Sequence, residues 1–395
     1  MAPMFGSHLS IAGSMVNALH EAETLGFDTV QVFTKNQQQW AAKPLDPGMV
    51  KEWSFELARL GWNGQRGTPG RTVSHASYLI NLASCNDELW RKSVDLMRDE
   101  IERCETLGIG LLVHHPGSYV GWDLERGLAR IADAYAELFK STAGYTTVSC
   151  LEDTAGAGST IGGSLEELSS LRGMIVERTA QPDRIGFCLD TCHLHAFGYD
   201  LSTRAGAKAT LERFVELEKS GGGLAHVRAI HLNDSKGATG SKLDRHTHIG
   251  EGTIGGGPGG GPGGGPGGVA QGVACSGFAE FVNRPEFLGI PKILETPKET
   301  NSDGTNWDTI NLRTLKAVLD DSEASAVDTP FVQTRSLSLS PTKAPTKAPT
   351  KPLAKALAKP TKSLKTNTNT NTKLSMKTSI KTSPKPRPST RKNER

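Results

Sequence analysis

No run of the 395-residue chain approaches the ~18 consecutive apolar residues that a membrane-spanning helix needs. The opening residues, Met1 to His8, hold no basic stretch followed by an apolar one, so no secretory signal is expected. Cysteine is scarce: six residues, at 85, 104, 150, 188, 192 and 275, widely spread and mostly within apolar runs. That spacing excludes a disulfide framework and fits reduced, buried thiols in a cytoplasmic protein. Cys188 and Cys192 lie four apart without a second pair, so a cysteine-type zinc site is not expected.

An overall excess of one charge is missing too. The 45 Lys+Arg and 42 Asp+Glu sum to +3. That balance averages two unlike pieces. Residues 335–395 hold 12 Lys, 4 Arg and one acid, Glu394, or +15, leaving −12 on the rest. Beyond its first few positions this tail has almost no aromatic or branched apolar residues. A segment that cannot bury apolar surface is expected to be disordered. The boundary is placed at 325/326, with a disordered Lys/Pro/Thr-rich basic tail over 326–395.

Residues 1–325 are long enough for one large domain. Strand-like runs fall at Met4–His8, Thr29–Phe33, Thr72–His75, Gly110–His114, Val148–Leu151, Ile185–Leu189, Val227–Leu232 and Pro291–Thr296. Several are apolar on both faces, as parallel strands covered by helices are. Helical periodicity separates them. Val94, Met97, Ile101, Cys104 and Leu107 share one face. Ser164 and Glu167 form a capping-box pattern. Eight strands, each followed by a helix, predict an α/β fold of the (β/α)8 TIM-barrel type, with a doubly wound sheet as the alternative. One segment breaks the pattern. Residues 255–268 read GGGPGGGPGGGPGG and are expected to be a flexible surface loop inserted after the seventh strand.

Chemistry-bearing side chains gather at strand ends. His75 closes the third strand, His115 the fourth, Glu152 the fifth and Asp190 the sixth, with His193 three residues later. His231 ends the seventh, Asp244 and His246 follow it, and Glu295 closes the eighth. In a barrel these ends face one bowl. A single histidine there is more often hydrogen-bonded than ligating, and a single aspartate is often a helix cap. Five histidines and four carboxylates together exceed what capping explains. Imidazole with carboxylate suits zinc, with manganese as the alternative at one site. Nine ligands are enough for two or three ions if a carboxylate bridges.

The stretches GSHLSIAGS (6–14), FTKNQQQW (33–40), HASYLINL (75–82), HHPGSY (114–119), LEDTAGAGS (151–159), CLDTCHLHAFGYD (188–200), HLNDSKGATGSKLDRHTHIGEGTIG (231–255) and ILET (293–296) run in order along the chain. They resemble the endonuclease IV family of apurinic/apyrimidinic endonucleases, within the xylose isomerase-like barrels. The resemblance implies three Zn2+ ions. His75, His115 and Glu152 would hold the first. Glu152, Asp190, His231 and Glu295 would hold the second, and His193, Asp244 and His246 the third. Glu152 and Glu295 are the implied catalytic carboxylates.

The implied reaction is hydrolysis of the phosphodiester 5′ to an abasic site in double-stranded DNA, giving a 3′-hydroxyl and a 5′-deoxyribose phosphate. Removal of 3′-blocking groups goes with it. Tyr78 matches the family's inserted tyrosine. Gln38 stands where relatives commonly carry arginine, and weaker gripping of DNA is expected from that change. Lys35, Asn233 and Asp234 are further implied DNA contacts. His8 matches a family position beside the site that is not a ligand. The spacing of His195 predicts a polar surface residue.

The family implies a monomer in the cytoplasm, associated with the nucleoid in a bacterium, and no membrane. The tail is expected to hold non-specific DNA by neutralising phosphates. SPTK (340–343) and SPKP (383–386) resemble linker-histone-like tails. A metal-dependent sugar isomerase or epimerase on the same barrel is the competing enzyme class. A non-catalytic nucleoid-binding protein is the third reading.

Overall fold

The computed structural model describes residues 2–64, 70–257 and 268–319. The tail over 326–395, its disorder, the boundary at 325 and most of the Gly/Pro segment, 258–267, lie outside the described residues. Among the described residues no helix is long and apolar enough to cross a membrane.

The described residues form ten strands: β1 Met4–His8, β2 Thr29–Val32, β3 Thr72–His75, β4 Leu111–His114, β5 Val148–Glu152, β6 Ile185–Asp190, β7 Val227–His231, β8 Asp234–Ser235, β9 His246–Thr247 and β10 Pro291–Leu294. The helices are α1 Val16–Leu25, α2 Pro47–Leu60, α3 Asp87–Leu107, α4 Leu124–Ser141, α5 Leu165–Thr179, α6 Thr191–Phe197, α7 Arg204–Glu216, α8 Gly268–Cys275, α9 Phe278–Asn283 and α10 Trp307–Lys316. Eight strands close a parallel barrel in the order β1-β10-β7-β6-β5-β4-β3-β2. The predicted (β/α)8 barrel is therefore the fold. Beyond it, β8 and β9 form an antiparallel pair above β7, and two helices, α6 and α7, follow β6 where one was expected.

The helices form for local reasons. α3 starts on Asn86, whose side chain accepts the Leu89 N–H, and stops where Gly108 adopts φ 68°. Its predicted stripe, Val94, Met97, Ile101, Cys104 and Leu107, is buried. Each such large apolar side chain contributes about 1.5–3 kcal/mol by leaving water. At α5 the cap differs from the expected box. Ser164 Oγ accepts the Glu167 N–H at 3.1 Å, but the Glu167 carboxylate takes the Gly162 N–H at 3.0 Å.

The strands carry two cores. Their outward side chains meet the helices in a large apolar cluster that includes Phe5, Val30, Leu112 and Leu151. Their inward side chains form a small sealed layer: Val73, Leu111, Val113, Cys150, Cys188, Ala229 and Ile293. Because side chains alternate with a period of two, the next inward position toward the barrel's C-terminal mouth is fixed for each strand. Above Val73 it is His75, above Val113 His115, above Cys150 Glu152, above Cys188 Asp190, above Ala229 His231 and above Ile293 Glu295. The alternation also separates the pair His114-His115. His114 turns outward, where its Nε2 meets Tyr135 Oη at 2.6 Å and burial pushes it down to about 4. Its neighbour turns inward.

Candidate metal centre

The six inward side chains and the loops above them form overlapping groups. Donor atoms of His75, His115 and Glu152 lie within 4.8 Å of one another, as do those of Glu152, Asp190, His231 and Glu295. Asp190, His193 and His246 form a third such group. Asp244 joins it, with Oδ1 3.3 Å from His193 Nε2 and 3.4 Å from His246 Nε2. Glu152 is shared by the first two groups, and Asp190 by the second and third. Glu152 Oε2 lies 3.1 Å from His75 Nε2 and 3.2 Å from His115 Nε2, while Oε1 lies 2.9 Å from His231 Nδ1. Register sets part of this closeness, since β6 and β7 pair Asp190 directly with His231. All nine side chains expected from the sequence are thus brought together at one end of the barrel.

Tautomers follow from the outer contacts. The Nδ1 atoms of His75 and His193 face the carbonyls of Ala76 at 2.8 Å and Asp153 at 2.9 Å, and that of His246 faces the Glu295 carbonyl at 3.3 Å. A carbonyl only accepts, so each of these nitrogens carries the proton. Each Nε2 then faces a carboxylate, which only accepts. His246 Nε2 is buried with no hydrogen-bond partner. Each imidazole and its facing carboxylate therefore need either a proton or a metal ion between them.

The electrostatics agree. Burial alone would lower His231, but the Glu295 and Glu152 carboxylates push it up to about 9. Burial opposes protonation of His75 and His193 as well, and Glu152 and Asp190 respectively outweigh it. Burial would raise the Glu152 carboxyl, yet His231 and His115 hold it well below the usual carboxylate range. Imidazole nitrogens with carbonyl-anchored far sides and shared carboxylates are the donor set of divalent metal sites. The residues therefore fit metal ions.

The expected DNA contacts fare differently. Tyr78 is 59% exposed beside the mouth, its ring centroid 5.1 Å from that of His75. Gln38 is exposed on the loop after β2. Lys35 is a correction: its ammonium turns inward, 3.6 Å from Glu100 Oε1 and donating to the Gln39 carbonyl at 2.8 Å. Glu100 also accepts from Thr34 and Ser77. The pair thus ties the loop bearing Gln38 to the loop bearing Tyr78.

Asn233 and Asp234 are corrections as well, both fully buried. Asn233 Nδ2 donates to Asp190 Oδ2 at 2.7 Å, and its Oδ1 accepts the Glu295 N–H at 2.8 Å. It orients ligands. Asp234 accepts the N–H groups of Ser235, Gly250, Ile254 and Gly255 and so closes the loop that carries Asp244 and His246. At Gly255 a Cβ would crowd Asp234 Oδ2 at 2.7 Å, so the Gly/Pro segment begins as an anchored position.

His195 is also buried, not on the surface. Its Nδ1 accepts the Leu201 N–H at 3.3 Å, and its Nε2 faces Thr239 and Thr253. The spacing correctly turns it off the ligand face, but the loop after β8 covers the other side. His8 lies beside the site, with Nδ1 3.3 Å from Glu295 Oε1. All six cysteines are free, with Cys85 and Cys275 exposed. Cys192 lies near Asp244 and His246. Gln31 is a site residue that sequence reasoning misses. It touches His231 and Glu295, and its signal is its inward position on β2, hidden because glutamine is not a usual ligand type.

Comparison with known proteins agrees with this geometry. Residues 19–257 match a family described as xylose isomerase-like TIM barrels. A protein of Chloroflexus aurantiacus named "Probable endonuclease 4" is 38% identical over 321 residues, which cover 81% of this chain and all of that protein. The crystal structure of endonuclease IV from Thermus thermophilus superposes with a TM-score of 0.61 at 32% identity, covering 80% of this chain and 98% of that one. A D-tagatose 3-epimerase-like protein, 18% identical over 81% of this chain and 99% of its own, shares the barrel with a TM-score of 0.53. At that identity the likeness speaks for the fold alone. Family match, relatives and barrel agree: this chain belongs to the endonuclease IV family of xylose isomerase-like TIM barrels.

Proposed function

We propose that this protein is a zinc-dependent DNA repair endonuclease that hydrolyses the phosphodiester 5′ to an abasic site, leaving a 3′-hydroxyl and a 5′-deoxyribose phosphate. Trimming of 3′-blocking groups is a further activity of the same centre. The observation that carries this reading is the convergence of nine donor side chains in three overlapping groups around Glu152. His75, His115 and Glu152 would hold one ion. Glu152, Asp190, His231 and Glu295 would hold a second, and His193, Asp244 and His246 a third. Zinc bound there supplies Lewis-acid chemistry, offsetting the charge of the phosphodiester and favouring ionisation of water. The group at His193, Asp244 and His246 favours a nuclease over a sugar epimerase, for which the first two groups would be enough.

This chain's own residues do the rest. Of the carboxylates in the second group, Glu295 is the accessible one, its side chain 12% exposed where Glu152 is 1% and Asp190 0%. Gln31 and His8 occupy its Oε1, and Oε2 is placed to accept a proton from the attacking water. An abasic nucleotide lacks stacking, so extruding it costs less than extruding an intact one. Tyr78, exposed beside the mouth, fills the gap in the duplex, and Gln38 assists with less contact than an arginine would give. The basic tail supplies a salt-dependent, sequence-independent grip on DNA. The protein acts as a cytoplasmic monomer.

The test is direct. Purified protein is incubated with a duplex holding one abasic site, with and without chelator, and bound metal is counted. Incision 5′ to the site that stops on chelation is expected. Protein with full metal occupancy that leaves the site intact defeats the assignment.

A further inference from the structure

Gln31 points into the barrel from β2 against the candidate ligands His231 and Glu295, yet an amide is a poor zinc ligand. It is fully buried. Its Nε2 lies 2.6 Å from Glu295 Oε1 and 3.0 Å from His8 Nδ1, and its Oε1 lies 2.9 Å from His231 Nε2. The orientation of the amide is not free. Glu295 Oε1 only accepts, so the group facing it at 2.6 Å must be the NH2. The amide oxygen is then the atom that faces His231, and an amide oxygen only accepts. His231 must therefore carry its proton on Nε2. Its other nitrogen, Nδ1, is then the one turned to the centre, 2.9 Å from Glu152 Oε1 and 3.2 Å from Glu295 Oε2, and is the lone pair of the neutral ring. One side chain thereby settles which nitrogen of His231 and which oxygen of Glu295 face the centre.

We propose that Gln31 is a positioning residue for the second metal ion: it selects the Nε2–H tautomer of His231 and orients the Glu295 carboxylate. This rests on the reading of His231 and Glu295 as metal ligands. Residues that orient ligands in this way contribute about 10–100-fold to metal affinity. Among the described residues Gln31 alone does this work for His231, because the other polar contacts of its ring run from Nδ1 to Glu152, Asp190 and Glu295.

Two variants of the full chain test this. Gln31→Met keeps the volume and removes both hydrogen-bonding groups. Gln31→Glu keeps an acceptor for His231. Zinc affinity is measured by competition with a chromophoric chelator, and the His231 tautomer is read from long-range 1H–15N spectra of the metal-free protein above about pH 9, where the ring is neutral. Gln31→Met is expected to hold one zinc equivalent about 10–100-fold more weakly and to lose the pure Nε2–H tautomer. Gln31→Glu is expected to keep that tautomer. Wild-type affinity and tautomer in Gln31→Met overturn the proposal. So does loss of the tautomer in Gln31→Glu, which remains informative if the methionine variant does not fold. A wild-type chain that takes up no zinc defeats the reading of the centre itself. Wild-type zinc uptake with unchanged affinity in Gln31→Met defeats this inference alone.

Discussion

Two adjacent layers of the same barrel behave as different materials. The lower one, Val73, Val113, Cys150, Cys188, Ala229 and Ile293, is apolar and sealed. The upper one, His75, His115, Glu152, Asp190, His231 and Glu295, is polar and partly open, with His115 34% and Glu295 12% exposed at their side chains. The same six strands bear both, two residues and roughly 6–7 Å apart. Strand alternation turns both sets inward; only depth separates them. In the lower layer a polar group would find no partner. In the upper layer each polar group finds another across the mouth, and the set as a whole calls for cations. Stability and chemistry are therefore carried by neighbouring positions of one backbone, and substitutions should separate them.

The largest separation is expected at Glu152. Glu152→Gln removes the carboxylate shared by two groups, while the amide keeps the volume. Incision at an abasic site should fall by more than the roughly 100-fold that ligand-orienting residues cost. Bound metal should fall with it and far-UV circular dichroism stay unchanged. Incision within tenfold of wild type would break the contrast. One step below on β10, Ile293→Ala should do the reverse. Truncating a buried isoleucine costs about 2–5 kcal/mol of stability, read as a lower urea midpoint. Incision per folded molecule should stay within a few-fold of wild type. A folded but inactive Ile293→Ala would mean that the layers are not separable.

A weaker effect is expected where the acidic barrel sequence is compared with the basic tail. Deleting residues 335–395 removes 16 cations. Affinity for undamaged duplex should drop, and its log–log salt slope should flatten by about 0.9 for each phosphate that is no longer neutralised. Turnover at saturating abasic substrate should not change. Identical affinity at low salt with and without the tail would show that the barrel alone holds the DNA.

Most of the upper layer is legible in the sequence because its residue types are unusual at the ends of apolar runs, and strand alternation does the rest. The eight barrel strands are legible for the same reason. What stays hidden depends on partners far along the chain. Lys35 is an implied DNA contact until Glu100 is brought beside its ammonium. Asn233 and Asp234 are implied DNA contacts, but their side chains are consumed by Asp190, by Glu295 N–H and by the returning loop around Gly250. β8 and β9, two residues each, are too short for any period to show. His195 reads as a surface residue because helix spacing reports a face, not what later covers it.

The smallest predicted effect concerns a cation at the far side of β10 from the metal centre. Lys292 follows the alternation outward, away from inward Ile293, and is fully buried. Burial pushes its amine down to about 7. Two carbonyls, those of Phe287 at 2.6 Å and Ile290 at 3.3 Å, accept from Nζ and work against that shift. The sign follows from proton counting. An unfolded lysine keeps its proton to about 10.4, so between about 7 and 10 the unfolded chain binds more protons than the folded one. Stability then rises with pH across that window, by at most about 1.4 kcal/mol per unit, and levels off below about 7. Urea unfolding of metal-free protein at about pH 7 and about pH 9, inside that window, should show wild type gaining stability relative to Lys292→Met as pH rises, because the raised histidines of the centre act equally in both. An equal response in both would place the titrating group elsewhere and show that the two carbonyls keep the ammonium charged.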